Sequence, residues 1–447
     1  MLTNGVAGVE EKVFVLVTGA NSGLGYSTCC RLADEFLTSS QNKHRSLTVI
    51  FTTRSTRKGN YTLHSLQNHL RTSTSDALAA ARVTFVPENV DLCNLLSVRA
   101  LSRRLNKTFP KLDAIVLNAG MGGWTGLNWP VAVWSVCTDI IHATTWPKYK
   151  IAPVGLITDN QTSTMADKEP RLGTVFCANV FGHYMLAHNL MPLLHRSGSP
   201  NGPGRVIWLS SNEATIHFFN IDDIQALRSS APYESSKSLT DLLSLTSDLP
   251  STAPWVKSFY STDFETDFKP NSDQKTTTTT PNTYLSHPGI CATAIIPLPT
   301  VLIYAMVAAF WLARIFGSPW HTLSTYLGAC SPVWLALSLQ SEIDAAEAPY
   351  REHGGGRVKW GSSASRLGVG SVASTEVDGW GHGGVVGPAV VAEDRARRRK
   401  RGAVDLTVEE KKRFEKLGRE CWKQMEELRT LWDHLLDEEE GRSGVRA

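Results

Sequence analysis

Charge of one sign is what this chain most plainly lacks: 45 Lys and Arg residues stand against 42 Asp and Glu residues in 447, a net of +3. Such a balance provides no electrostatic footprint for nucleic acid, and none is expected as a partner. The eight cysteines include no Cys-x-x-Cys pair and no companion histidine pattern, which argues against a metal site and against a disulfide framework. At the N-terminus, MLTNGVAGVEEKVFVLVTGA has no basic segment followed by an apolar core and a small-residue cleavage site, so no secretory signal is expected. Long hydrophobic runs are scarce. The prominent one is IIPLPTVLIYAMVAAFWLARIFG, Ile295 to Gly317.

At 447 residues the chain exceeds the roughly 250 to 300 that one core usually serves, so one large domain with insertions and a tail, or two domains, is expected. Val13 to Thr18 is a β-branched run that ends in a glycine cluster, and Tyr26 to Leu37 follows with helical spacing. The alternation recurs. Leu47 to Thr53, Val83 to Val86, Leu112 to Leu117 and Arg205 to Leu209 have strand length, with helical material around Leu95 to Leu105 and Ala178 to Leu194. Near-continuous apolar strands separated by helices predict an α/β fold, a doubly wound parallel sheet covered on both faces.

The organisation read from this pattern is a main domain over 10–350, with insertions at 122–174 (Trp- and Pro-rich) and 258–282 (polar) and an apolar segment at 295–340. A Gly-rich, then basic, flexible linker is expected over 351–404, and an amphipathic helix over 405–440 opened by the capping box Thr407 to Glu410. On that helix Phe414, Leu417, Cys421, Met425, Leu428, Trp432 and Leu435 form one apolar seam.

Two motifs carry chemistry. Thr18-Gly19-Ala20-Asn21-Ser22-Gly23-Leu24-Gly25 lies between strand and helix, where glycines let a pyrophosphate approach the backbone and the helix N-terminus. The second strand ends in FTTRSTRK, which has no acid to bind ribose hydroxyls but offers Thr53, Arg54 and Lys58 to a 2′-phosphate. NADPH is therefore expected over NADH. Farther on, Tyr233 and Lys237 stand four apart at a helix start, on one face. The cation is expected to lower the phenol pKa and tune it as a proton donor.

Taken with Asn118-Ala119-Gly120, Asn179 in ANVFGHY, Ser210-Ser211, His287-Pro288-Gly289 and Thr293, these motifs appear in the order seen in the short-chain dehydrogenase/reductase family, which the chain resembles from about Val13 to Thr293. The resemblance implies that Tyr233 protonates a carbonyl oxygen, Ser211 hydrogen-bonds it, Lys237 holds the nicotinamide ribose and Asn179 supports a proton-relay water. It further implies cofactor contacts from Leu24, Asp91, Asn118, Ile290 and Thr293. Ser211 and Tyr233 are 22 positions apart, so Phe218 to Ser230 should form a loop near the site mouth.

In this family the segment after Pro-Gly-x-x-x-Thr is the substrate lid, here the oily run. Leu298 to Ala313 is uncharged and would be about 24 Å long as a helix, short against a hydrocarbon core of about 30 Å. A helix embedded in one leaflet is favoured, with a tilted span and a buried lid as the alternatives. Leu323 to Leu339 is expected to pack on it. The basic run Arg395 to Arg401 could meet anionic headgroups or simply be solvated.

The insertion GGWTGLNWPVAVWSVCTDIIHATTWPKYK, with APYESSKSLTDLL and GSPWHTLSTYLGA, resembles the fungal 3-keto-steroid reductases of ergosterol synthesis. That resemblance implies a sterol substrate, reduction of a 4-methylsterone or zymosterone-type C3 ketone to the 3β-alcohol, and a place on the endoplasmic reticulum membrane or lipid droplets beside other C4-demethylation enzymes. A reductase of another lipid carbonyl, retinal-like, and a membrane scaffold for sterol enzymes are the alternatives.

Overall fold

The computed structural model describes residues 11–162, 169–198, 202–261, 279–292 and 299–443. Ten strands occur among them: β1 Glu11–Val17, β2 Arg45–Thr53, β3 Val83–Asn89, β4 Ala114–Leu117, β5 Gly126–Leu127, β6 Lys150–Ile151, β7 Arg205–Leu209, β8 Asn282–His287, β9 Lys359–Ala364 and β10 Gly370–Ser374. Eight form one sheet in the order β10-β9-β8-β7-β4-β1-β2-β3, parallel throughout except for the antiparallel β10 edge. Strands β5 and β6 pair as a separate two-stranded ribbon inside the Trp-rich insertion.

The central strands are apolar on both faces because helices cover both faces. One core layer unites Leu16, Ile115, Leu117, Val206 and Trp208 with Leu239, Leu242 and Leu243 of the tyrosine helix, Pro232–Leu245. The opposite layer unites Val15, Val49, Val116 and Ile207 with Leu32 and Phe36 of the first helix, Gly23–Thr38, and with Val333, Leu335 and Ala336 of the helix Cys330–Leu337. The second apolar stretch therefore packs mainly under the sheet and on the first helix, not on the oily run as its composition suggested. Only at its start does Leu323 join Phe310, Trp320 and Ile290 in a small satellite cluster.

The Gly-rich stretch is not a flexible linker. Residues 359–374 supply β9 and β10, with Leu285 in register with Lys359. The glycines serve close packing. A Cβ on Gly383 would come within 2.7 Å of the Tyr350 ring, and one on Gly384 within 2.7 Å of Trp380, both at positive φ. Trp380 is buried there and donates from Nε1 to the Arg357 carbonyl at 2.9 Å.

The basic run that follows is largely paired: Arg397 with Asp394, Arg399 with Glu376 and Asp405, Lys400 with Asp378. The C-terminal helix, Val408–Ser443, begins with Thr407 and Glu410 in the reciprocal bonds of a capping box. Its seam residues Phe414, Cys421, Met425, Trp432 and Leu435 are buried in the same layer as the tyrosine helix. Gly418 permits the closest approach, since a Cβ there would lie 2.5 Å from the Thr246 side chain. The feature that suggested a scaffold is thus occupied by the protein's own domain.

The oily run forms the helix Thr300–Ile315, with Phe310, Ala313 and Arg314 buried. Among the described residues no helix is long and apolar enough to cross a membrane. Residues 293–298, including Thr293, and 262–278 of the polar insertion lie outside the described residues.

Candidate active site

The glycine motif closes the carboxyl end of β1 against β4, where the chain winds off in opposite directions along the sheet and leaves a crevice. Thr18 organises this turn. Its backbone N–H donates to Val116 O at 3.1 Å, its Oγ1 accepts from the backbone of Asn118 at 2.9 Å and Ala119 at 3.0 Å, and the Asn118 amide donates to Thr18 O at 2.8 Å. A Cβ on Gly19, which has positive φ, would meet Ala119 Cα at 2.8 Å. One on Gly25 would meet Gly19 O at 2.3 Å.

Asn21, Ser22 and Gly23 face solvent, and Ser22 makes no side-chain cap to the helix that starts at Gly23. Uncapped amides at a dipole-positive helix end, behind a glycine-rich turn, fit a dinucleotide pyrophosphate. Arg54 and Lys58 are exposed beyond β2, and Asp91 is exposed beyond β3, its carboxylate accepting from Cys93 N at 2.9 Å. Leu24 is half-buried in the same turn.

Two expected cofactor residues are engaged elsewhere. Thr53 is buried and its hydroxyl donates to Ser55 O at 2.8 Å, leaving Arg54 and Lys58 as the exposed pair. Ile290 donates its N–H to Trp320 O at 2.6 Å and accepts from Leu323 N at 3.1 Å, so its backbone serves the chain's own pairing.

The catalytic candidates converge at the ends of β4 and β7. Tyr233 and Lys237 lie one turn apart on the tyrosine helix, and Ser211 follows β7, near enough to the phenol for its hydroxyl to lower the phenol pKa. Asn179 lies in a π-helical turn, Cys177–Phe181, which widens the helix and aims the side chain out of register. Its Oδ1 accepts from Met121 N at 2.8 Å, and its Nδ2 donates to Met121 O at 3.0 Å and to Ser236 Oγ at 3.0 Å. Asn179 thereby ties the loop after β4 to the tyrosine helix. One turn on, buried His183 shares a 2.8 Å hydrogen bond between Nε2 and Thr18 Oγ1, and burial pushes its pKa down to about 3, keeping it neutral.

The electrostatics differ from the expectation. Burial pushes the Tyr233 phenol up to about 12, against a lowering from Ser211, while Glu234 raises it further. Lys237 itself falls to about 8, chiefly through burial. Its ammonium donates to Leu209 O at 2.7 Å and lies 5.7 Å from the tyrosine ring centroid, directed to the strand end rather than to the phenol. A phenol held protonated at neutral pH is in the state that proton donation requires.

Four residues outside the motifs complete the surroundings. Buried Lys359, on β9 in the presumed linker, donates to Ser211 O at 2.8 Å and to Asp241 at 2.6 Å, and Asp241 accepts from Ser210 Oγ. Trp124 and Lys150, from the insertion, reach the tyrosine, with the Trp124 and Tyr233 ring centroids 4.7 Å apart. Asp241 follows Lys237 by four on the same helix, a spacing visible in the sequence. Lys359 has no such signal, because it reaches the site only through the parallel pairing of β9 with β8.

A parallel sheet with a glycine turn after its first strand, and with Asn179, Ser211, Tyr233 and Lys237 gathered at the strand ends, defines a short-chain dehydrogenase/reductase. No family model matches the chain. It is 67% identical over 440 residues to 3-keto-steroid reductase erg27 of Aspergillus fumigatus, covering 98% of this chain and 97% of the relative. It is 40% identical over 468 residues to 3-keto-steroid reductase ERG27 of Gibberella zeae, covering 96% and 95%. Among solved structures, salutaridine reductase from Papaver somniferum matches at 17% identity and a TM-score of 0.37, covering 63% of this chain and 88% of that one. The chain belongs to the fungal 3-keto-steroid reductase family.

Proposed function

We propose that this protein is an NADPH-dependent reductase of the C3 ketone of a 4-methylsterone or zymosterone-type sterol, forming the 3β-alcohol during C4 demethylation in ergosterol biosynthesis. The observation that carries the reading is the convergence of Ser211, Tyr233 and Lys237, held to the loop after β4 by Asn179. The relatives' name supplies the substrate class. When bound, NADPH supplies the hydride. Bare amides from Ser22 to Gly25 would hold the pyrophosphate, and Arg54 and Lys58 would face the 2′-phosphate. Ser211 would bind the ketone oxygen, Tyr233 would donate its phenolic proton to that oxygen, and Lys237 would orient the ribose.

The test is NADPH oxidation by detergent-solubilised protein with a 4-methyl-3-ketosterol, with the product identified by mass spectrometry. Wild type should form the 3β-alcohol and should prefer the sterol to retinal. Tyr233→Phe should lose about 10²- to 10⁴-fold in turnover while binding NADPH. A folded wild type without turnover on any 3-ketosterol overturns the assignment, and faster turnover of retinal replaces its substrate.

We also propose that the protein docks on the cytosolic face of the endoplasmic reticulum membrane and on lipid droplets, near the other C4-demethylation enzymes. The helix Thr300–Ile315 supports this, since Val301, Tyr304, Trp311, Leu312 and Ile315 are exposed. It packs on Ile140–Thr145, which also carries the helix Trp129–Thr138 with exposed Trp129, Val133 and Trp134. Exposed Arg398 donates to the Phe316 carbonyl at 2.6 Å, placing a cation at the end of the apolar helix. That combination suits an apolar membrane interior bordered by anionic headgroups. Flotation with phospholipid vesicles should carry the protein upward, and failure to float rejects the docking.

A further inference from the structure

The insertion places a buried ammonium against the catalytic tyrosine, which the family motif does not contain. Lys150 is on β6, paired with Leu127 of β5, and its side chain is 3% exposed. Its Nζ contacts the carboxylate of Glu213, two residues after Ser211, and lies 3.0 Å from that of Glu234, the residue after Tyr233. The same Nζ sits 3.7 Å from the Trp124 ring centroid and 5.3 Å from the Tyr233 ring centroid. Trp124 in turn lies against the phenol ring at 4.7 Å between centroids and 59° between planes. One cation therefore touches both chain segments that bear the proton-donating pair, and the aromatic ring packed on one of them.

Resting on the reductase reading, we propose that Lys150 is a positioning residue of the active site: it fixes the distance between the Ser211 and Tyr233 segments, seats Trp124 on the phenol, and balances the two carboxylates beside it. A lysine so enclosed is costly unless its charge is needed where it stands. Burial lowers it to about 8 even with Glu234 opposing that shift.

The groups around the phenol are Ser211, Glu234 and Lys150, with the Lys237 ammonium 5.7 Å from the ring centroid and turned to Leu209 O, and Asp241 and Lys359 beyond it. Removing Lys150 leaves Glu213 and Glu234 with no ammonium between them. Their negative charge holds the proton on Tyr233 more tightly and loosens the Ser211 segment, which also carries the Glu213 N–H bond to Ser211 Oγ at 3.1 Å. Oxidation of the 3β-hydroxysterol with NADP⁺ reports this directly, because it needs the phenolate and its rate rises as the phenol ionises.

The experiment is the pH profile of kcat in that direction for wild type, Lys150→Met, Lys150→Arg, Glu234→Gln and the Lys150→Met/Glu234→Gln pair, with NADP⁺ affinity measured separately. Lys150→Met should lose about tenfold or more in kcat and move the rising limb up by about one pH unit, at unchanged NADP⁺ affinity. Lys150→Arg should restore the limb, and the double variant should bring it back toward wild type. Should Lys150→Met fail to fold, Glu234→Gln carries the test by moving the limb down. An unmoved limb in whichever of these two variants folds overturns the proposal, even where kcat falls. Wild type inert toward sterol in both directions overturns the reductase reading; active wild type with a Lys150-insensitive profile overturns only this inference.

Discussion

The C-terminal helix and the helix Thr300–Ile315 reverse what their compositions suggest about exposure. The C-terminal helix is heavily charged, yet Phe414, Cys421, Trp422, Met425, Trp432 and Leu436 are buried along one side of it. The other helix carries a single charged residue, and that residue, Arg314, is buried while Trp311, Leu312 and Ile315 beside it are exposed. Arg314 donates to His321 O at 2.8 Å and also to Thr322 O, so the cation anchors the helix and the apolar side chains face outward. A narrow apolar seam with charged flanks finds its partner within the domain. A helix apolar all round has more surface than its described neighbours cover.

The contrast can be broken or sharpened by four experiments. Truncation before Val408 should have the largest effect, removing the cover from Leu239, Leu242 and Leu243 and leaving protein without a cooperative thermal transition by circular dichroism. Trp432→Ala, at a residue buried in that seam, should lower unfolding free energy by about 3–5 kcal/mol in denaturant titration.

Acidification should act next, on this helix through its paired carboxylates and in the core through buried neutral histidines such as His183 and His321. Glu426 and Glu440 are held below their usual range although burial opposes it, by hydrogen bonds from Arg429, Tyr184 and Ser258 in the first case and by Arg103 and Arg99 in the second. Their folded pKa values lie below the unfolded one, so the stability they contribute is present above the unfolded value and lost as pH falls through the folded one. Thermal melts should therefore drop as pH falls through the carboxylate range, and less so in Glu440→Gln.

The smallest effect on folding is expected from combining Tyr304→Ser, Trp311→Ser and Leu312→Ser. Exposed substitutions of this kind stay within about 0.5 kcal/mol each, yet the triple variant should abolish vesicle flotation. A large loss of stability instead would show that the helix is a core element and would erase the contrast.

Legibility followed locality. The glycine turn, the strands from β1 to β4 and the Tyr233–Lys237 spacing were readable because each is a short-range pattern imposed by backbone geometry or by one helical turn. Asn179, Ser211 and Asn118 were legible as motif members, but the bonds that make them a unit, Asn179 to Met121 and Ser236 and Asn118 to Thr18, join residues tens of positions apart. The Gly-rich stretch was misread for a related reason. Glycine density signals flexibility in an isolated chain, whereas here Gly383 and Gly384 make room for Tyr350 and Trp380, a demand made by distant side chains. The raised Tyr233 pKa was not legible either, because spacing reveals a neighbouring lysine but not the burial that pushes the phenol up.

By itself, then, the sequence determined the parallel α/β class, the phosphate-binding turn, the order of the catalytic motifs, the capped C-terminal helix and the existence of an oily segment. Hydrophobic period, capping chemistry and glycine placement are all local consequences of backbone sterics. Only the tertiary structure decided that the seam of the C-terminal helix is internal, that β9 brings Lys359 behind Ser211, that the insertion lays Trp124 and Lys150 against Tyr233, and which apolar surfaces stay uncovered. Those outcomes depend on which surfaces meet after the chain has folded, and burial and charge pairing at such meetings are properties of no single stretch.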